Sequence, residues 1–306
     1  MISSHPLKAL ISGAAAICLA VPTAGAAEKL KALIVTGQNN HDWARTTPMI
    51  QKILEESGRF QVTVTTTPPD KAPEDAWSAW KPKFEGLDVV VSDYNGKMWP
   101  EKVKADFTAH VKKGGGVVLV HAANNSFGGW TEYEEMTGLL WRDAKAGERV
   151  YLNEKLEEVR VPKGEGPGAG HGKQHAFQMT TVDAENPIFK GMPKVWKHQE
   201  DELYHGQRGP AKDMHILAAA FSNTESGGTG VYEPMVWWIP FGTGKVVTVL
   251  PGHLWSGQKV PPSAYDCVGF RTLLQRSAEW AASGKVTIPV PKNFPTADAV
   301  SLIPQP

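Results

Sequence analysis

Uninterrupted apolar runs alternate, in the first half of the chain, with segments whose apolar positions fall three or four residues apart. Ala32-Leu33-Ile34-Val35, closing at Gly37, reads as a first strand. Thr47 to Ser57, with Ile50, Ile53 and Leu54 on one face, reads as the helix that follows it. QVTVTTT (61–67), ended by Pro68-Pro69, and the run from Leu87 to Ser92 predict two more strands. Pro100 to Lys113 predicts a helix with Val103, Phe107 and Val111 on one side and a Gly114-Gly115-Gly116 stop, and Val117 to Val120 a fourth strand. Strands this apolar pack on both faces, so their alternation with helices predicts a parallel sheet between helical layers.

After residue 145 the pattern loosens. YLNEKLEEVRV (151–161) alternates like an exposed strand, PKGEGPGAGHG (162–172) is a Gly/Pro-rich loop, and HAFQMTTVD (175–183) resumes as a strand. Met214 to Ala220 and Gly244 to Leu250 predict further strands, Val268 to Ala282 a closing helix, and the proline-rich end an extended strap. Neither a repeat nor a linker divides the chain. The expected organisation is one α/β domain over 27–283 with a tail over 284–306.

The first 26 residues stand apart. Lys8 precedes an apolar run that is too short to span a bilayer, and Ala24-Gly25-Ala26 supplies a small-residue cleavage pattern, so residues 1–26 are expected to be a secretory signal and the mature protein periplasmic. No stable membrane insertion is expected after cleavage. Without the leader the chain keeps 31 of its 32 basic residues, all 32 acidic residues and one cysteine, Cys267, which excludes an intramolecular disulfide. Near-neutral charge without a basic stripe argues against nucleic acid as a partner. The sequence leaves the oligomeric state open.

In an open parallel sheet, ligands bind beyond the carboxyl ends of the strands. Three of the expected strand ends deliver a histidine there: His41 with Asp42 and Trp43, His121 with Asn124 and Asn125, and His253 with Trp255. Three neutral imidazoles suit a divalent cation such as zinc or manganese; the bland alternative for each is a hydrogen-bonded structural histidine. His171 and His175 lie in the Gly-rich loop, where their spacing has no helical meaning. In the acidic run 199–202, Glu202 and the nearby Tyr204 suit a base and an acid if buried, and a solvated turn if not. Trp43, Trp130 and Trp255 beside amide side chains suit the faces and hydroxyls of a sugar. Nucleophilic catalysis has little support, since G-x-S-x-G is absent and Cys267 lies at the closing helix as an expected inert thiol. The triple glycine precedes a strand and lacks G-K-[ST], so no nucleotide cofactor is expected.

The ordered set of His41, GGGVVLVHAAN (114–124), NPIFKGMP (186–193), DELY (201–204), EPMVWW (233–238) and FGTGKVVTVLPGH (241–253) resembles the ThuA-like family, named for trehalose utilisation. The resemblance implies a flavodoxin-like fold similar to class I glutamine amidotransferases. Those enzymes carry a nucleophilic Cys after the central strand; here that place holds His121, so their thiol chemistry is not carried over. Disaccharide use implies a small carbohydrate substrate oxidised at C3, whose acidified C2 proton permits isomerisation, or elimination and hydration. On this reading His41, His121 and His253 form the electrophilic centre, Glu202 is the base with Tyr204 or Asp42 as partner, and Trp43, Asn124, Asn125, Trp130, His171 and Trp255 contact the sugar. The competing readings are a non-catalytic carbohydrate-binding protein and a metal-assisted amide or ester hydrolase.

Overall fold

The computed structural model describes residues 1–3 and 28–304, so the expected leader lies almost wholly outside the described residues. Among those residues no helix is long and apolar enough to cross a membrane. The first half alternates as expected. Strands β1 (Leu30–Thr36), β2 (Phe60–Thr66), β3 (Val89–Ser92) and β4 (Gly116–Val120) are joined in turn by helices α1 (Trp43–Glu56), α2 (Glu74–Ala79) and α3 (Glu101–Lys112). Helix α4 (Thr131–Thr137) follows. Short strands come next: β5 (Glu148–Leu152), β6 (Glu158–Val161), β7 (Gly170–His171), β8 (Gln178–Thr181), β9 (Val195–Lys197), β10 (Tyr204–His205) and β11 (Arg208–Gly209). Then β12 (His215–Phe221), β13 (Tyr232–Phe241) and β14 (Gly244–Val249) lead into α5 (Val268–Ser283).

The main sheet runs β2-β1-β3-β4-β14-β13-β12-β8-β9. Its first five strands are mutually parallel and the remainder antiparallel, which makes a mixed sheet on a flavodoxin-like centre. Along each central strand the side chains alternate between two apolar layers. Ile34, Val91, Val118 and Val249 face α1 and α5, meeting Ile50, Leu54, Phe270 and Leu273; Val35, Val90, Leu119 and Val246 face Phe107 and Val111 of α3. Burial on both faces is why these strands read as continuous apolar runs rather than alternating ones. Each fully buried Phe or Leu of this kind contributes about 1.5–3 kcal/mol.

Three departures from the sequence reading have local causes. The stretch 151–161 is a hairpin rather than one strand, because Asn153 accepts the amides of Lys155 and Glu157 and turns the chain between β5 and β6. The segment containing EPMVWW is the ten-residue strand β13, paired on both sides despite Pro234 and Pro240. Helix α1 begins at Trp43, a turn before the expected Thr47, with Pro48 inside it. Its first turn is held by the buried Asp93 at the end of β3, which accepts from the hydroxyls of Thr46 and Thr47 at 2.7 and 2.8 Å.

Burial raises the pKa of Asp93 to about 7, against the opposing pull of Thr46 and Thr47. The unfolded chain releases this proton near 3.8, whereas the folded one holds it to about 7. The contribution to stability is therefore fully present below pH 3.8 and lost as pH rises through 7. Melting curves of Asp93→Asn, which keeps acceptor capacity without the charge, are expected to show a gain over wild type at pH 8 that shrinks toward pH 4. A constant difference across that range would refute the assignment.

Candidate functional site

The strand order places its switch point between β1 and β3, where adjacent connections leave in opposite directions and open a crevice at the carboxyl edge. Four strands end there. After β1, Gly37 turns the chain with φ +119, and a Cβ there would lie 2.6 Å from the backbone nitrogen of Thr67. Asn39 then receives the backbone N–H of His41 and faces its Nδ1 at 3.2 Å. After β3 comes Asn95, and after β4 comes His121 at φ +46, a left-handed conformation in a non-glycine residue at the entry to a short 3-10 turn. After β14, Gly252 adopts φ +127 and delivers His253.

In the acidic segment Glu200 is exposed, but the next two acids are buried rather than part of a solvated turn. Asp201 and Glu202 are almost inaccessible to solvent, and Asp201 binds four donors. Its Oδ2 accepts from His198 Nε2 and the Gly252 amide, both at 2.8 Å; its Oδ1 accepts from the amides of Glu202 at 2.7 Å and His253 at 3.0 Å. One carboxylate thus fastens the segment carrying Glu202 to the turn carrying His253. Glu202 projects among four imidazoles. Its Oε2 lies 3.8 Å from Nε2 of His41 and 3.7 Å from that of His121, and its Oε1 lies 3.3 Å from Nε2 of His253 and 3.5 Å from that of His171.

The far sides of these rings are anchored. Nδ1 of His121 donates to the Leu250 carbonyl at 2.7 Å, Nδ1 of His41 to Asn39, and Nδ1 of His171 to the Gly172 carbonyl at 2.7 Å. The Gln174 side-chain nitrogen lies 3.1 Å from Nδ1 of His253. With an oxygen acceptor behind each of the other three rings, the inward Nε2 of a singly protonated His41, His121 or His171 is a lone pair. Burial, with the neighbouring imidazoles His41 and His253, holds His121 well below the ordinary histidine pKa, and burial also lowers that of His253. Both rings are neutral at pH 7.

Nε2 of His41, His121 and His253 and Oε1 of Glu202 are buried without a hydrogen-bond partner among the described residues. Four orphaned polar atoms facing one another would be costly unless something shared satisfies them. Ligand atoms of His41, Glu202 and His253 all lie within 4.8 Å of one another. Two ligand atoms about 2.1 Å from a tetrahedral cation are roughly 3.4 Å apart. The separations around Glu202 bracket that value, and the nitrogen–carboxylate donor set with outer rings hydrogen-bonded is one that zinc or manganese accepts.

Above this cluster lies a cavity of about 360 Å³, lined by Asn40, His41, Asn95, Asn125, Trp141, His171, Glu202, Tyr204 and Trp255. Arg142 fixes Asn125 by donating to its carbonyl and that of Ser126 at 2.6 and 2.8 Å. Tyr204 lies against His121, ring centroids 4.4 Å apart, and burial with the adjacent Glu202 holds its phenol well above the ordinary tyrosine value, so it remains a donor. His171 is carried in by pairing of β7 with β10, and Arg208 shapes the loop before it by donating to carbonyls of residues 162, 165 and 167.

The structure therefore brings together His41, His121, His253, Glu202, Tyr204, His171, Asn125 and Trp255. Four expected residues lie elsewhere. Asp42 pairs with Arg45 at 2.7 Å, ahead of α1. Trp43 opens that helix and does not line the cavity. Trp130 is buried against Trp99, Phe107 and Phe127, and Asn124 is turned inward to the Leu139 carbonyl and Gln207. Trp141, Asn40, Asn95 and Asp201 were not singled out from the sequence. Cys267 is fully buried beside His198, which draws the thiol pKa down against the effect of burial, and it does not line the cavity.

A family model described as trehalose utilisation matches residues 31–281. The chain belongs to the ThuA family. A solved ThuA-like protein from Parabacteroides merdae is 38% identical over 90% of this chain and 98% of its own length, with a TM-score of 0.85. A second, from Bacteroides uniformis, shares the fold at 18% identity and a TM-score of 0.53, covering 88% of this ThuA chain and 97% of its own. No curated protein matches the chain. Family membership places the ThuA chain, at that level, in carbohydrate utilisation.

Proposed function

We propose that this ThuA-family chain is a metal-assisted acid–base enzyme acting on a keto-sugar or 3-keto-glycoside. The observation that carries the reading is the set of orphaned, buried Nε2 atoms around Glu202 beneath an aromatic and amide-lined cavity. His41, His253 and Glu202 would hold a divalent cation, zinc or manganese, which supplies a Lewis acid for the ketone oxygen.

The chain's own groups divide the remaining work. His121, packed against Tyr204 of the cavity lining, has a buried Nε2 without a partner among the described residues and a pKa below the ordinary histidine value, and is the proposed acceptor of the C2 proton. The C–H electron pair moves into the C2–C3 bond as the ketone oxygen takes up charge, giving an enediolate. Return of the proton to a neighbouring carbon completes isomerisation. Alternatively, the enediolate pair expels the C1 substituent, whose oxygen receives a proton from Tyr204, and water then adds across the new double bond. Asn40, Asn95 and Asn125 meet ring hydroxyls, and Trp141 and Trp255 meet the C–H faces. Glu202, expected from the sequence as the base, serves better here as a ligand because it faces all four imidazoles.

The test is deuterium wash-in. Metal-supplemented protein incubated with a methyl 3-ketoglucoside in D2O is expected to exchange the C2 proton, seen by NMR, and His121→Ala to slow exchange by about 10²–10⁴-fold. Exchange at the uncatalysed rate with wild type would overturn the proposal, and exchange undiminished in His121→Ala would remove His121 as the base.

A further inference from the structure

Asp42 stands at the N-cap of α1 and does not cap it. An aspartate in that position ordinarily accepts an amide of the first turn, but its side chain makes no such bond here. The carboxylate is given instead to Arg45, Oδ2 accepting from Nε at 2.7 Å. The other two guanidinium nitrogens leave the helix altogether: Nη2 donates to the Trp255 carbonyl at 2.7 Å and Nη1 to the Gln258 carbonyl at 2.9 Å. All three nitrogens of one side chain are spent on an acid at the start of α1 and on a turn distant in sequence.

That turn has few other supports. Residues 254–262 contain no helix or strand. The Asp42 N–H donates to the Leu254 carbonyl at 2.9 Å, the Gln258 N–H to the Trp255 carbonyl at 3.1 Å, and the Trp255 N–H to Gln258 Oε1 at 3.1 Å. The side chain it presents covers two of the imidazoles assigned to the cation. The Trp255 indole stacks on His41, ring centroids 4.6 Å apart and planes 27° apart, and meets His253 edge-on at 5.1 Å. Trp255 is 41% exposed, whereas both histidines are buried, so the indole is the boundary between them and solvent. An apolar wall in this place controls how readily water and exchanging ligands reach the nitrogens behind it.

We infer that Asp42 and Arg45 form a latch that holds the Trp255 indole over His41 and His253, and that this latch governs release of the cation. Both are positioning residues, and both act through Trp255. Release of the cation rests on the assignment of those two histidines as ligands above; the latch itself stands on contacts that need no cation. A partly exposed i,i+3 ion pair contributes little to stability by itself, so the effect falls on the site rather than on the fold. Lysine cannot replace Arg45, because one ammonium would have to do what three nitrogens in a fixed fork do.

The experiment follows the rate at which a chelator removes zinc from zinc-loaded protein. Trp255→Ala is expected to speed release by about tenfold or more, and Arg45→Gln, Arg45→Lys and Asp42→Ala to act in the same direction. Because the latch works through the indole, the Arg45→Gln/Trp255→Ala double variant is expected to release zinc within about threefold of Trp255→Ala alone. A second measurement needs no metal. In chelator-treated protein the His41 ring protons, which the stacked indole shifts upfield in the NMR spectrum, are expected to move downfield in Trp255→Ala and in the same sense in Arg45→Gln. A double variant whose acceleration is the product of the two single ones, or a His41 resonance unmoved in Arg45→Gln, overturns the latch, and release unchanged in Asp42→Ala strikes Asp42 from it. Wild-type protein that holds no zinc overturns the metal reading and the role in release, and the His41 resonance alone then decides whether Arg45 holds the indole.

Discussion

Glu202→Gln is expected to strip the divalent cation from the purified protein and lower turnover of a 3-keto-glycoside by about 10²–10⁴-fold. Among the described residues, the carboxylate is the one anionic group facing the Nε2 atoms of His41, His121, His171 and His253. An amide of the same shape keeps the packing but removes the charge that complements a cation held among imidazoles. The loss of metal affinity should exceed the roughly 10–100-fold that follows loss of a hydrogen-bond partner behind a ligand. Stability should move differently. A buried carboxylate without a cation carries a desolvation penalty, so the chelator-treated variant is expected to melt no lower than chelator-treated wild type. Elemental analysis beside melting curves reads both effects. Equal metal content in the two proteins, or none in wild type after supplementation, would remove the metal from the mechanism and leave the histidines as hydrogen-bonding and proton-transferring groups.

Asp201→Ala is expected to produce the largest loss of folding stability. The substitution deprives four buried donors of their acceptor: His198 Nε2 and the amides of Glu202, Gly252 and His253. His198 is held protonated in the native state. Burial opposes its charge, but Asp201 and the Cys267 thiol prevail and place its pKa at about 9. Removing one member of a buried charged pair costs about 3–5 kcal/mol. In a chain of this size that is a fall in melting temperature of roughly 10 °C. Metal affinity should fall too, since the turn bearing His253 and the segment bearing Glu202 are no longer tied. A variant that melts within about 2 °C of wild type and keeps its metal would show that the surrounding backbone, not Asp201, sets the spacing of these two side chains.

The parallel half of the sheet was legible because its strands are buried on both sides and its helices on one, which stamps two different periods on the sequence. Beyond residue 145 the strands are short, β13 carries two prolines, and pairing is set by distant partners that no local period records. The histidines His41, His121 and His253 were found by a rule about strand ends, and that rule locates backbone. It does not say which neighbour turns inward. Asp42 and Trp43 follow His41 directly, yet one pairs with Arg45 and the other starts a helix; Asn124 and Asn125 are adjacent, and only the second lines the cavity. Asp201 was visible only as one acid in a run. Its function as a four-donor acceptor depends on Gly252 and His253, some fifty positions away. Trp141 sits against Tyr204 at 4.6 Å through contacts made across the fold, and its position near a polar loop did not by itself separate it from the other tryptophans.

The left-handed elbow at His121 limits what evolution can try there. With φ at +46, a β-branched side chain would be strongly strained, and glycine, asparagine, aspartate and histidine are the residues that tolerate the region best. Glycine has no reactive group, and asparagine takes up protons poorly. Among the residues that tolerate this backbone best, imidazole and carboxylate are the proton acceptors, and His121 supplies the first. The kink that narrows the choice of residue is also the one that presents the His121 ring to Glu202, so a straighter backbone would widen the choice and lose that presentation.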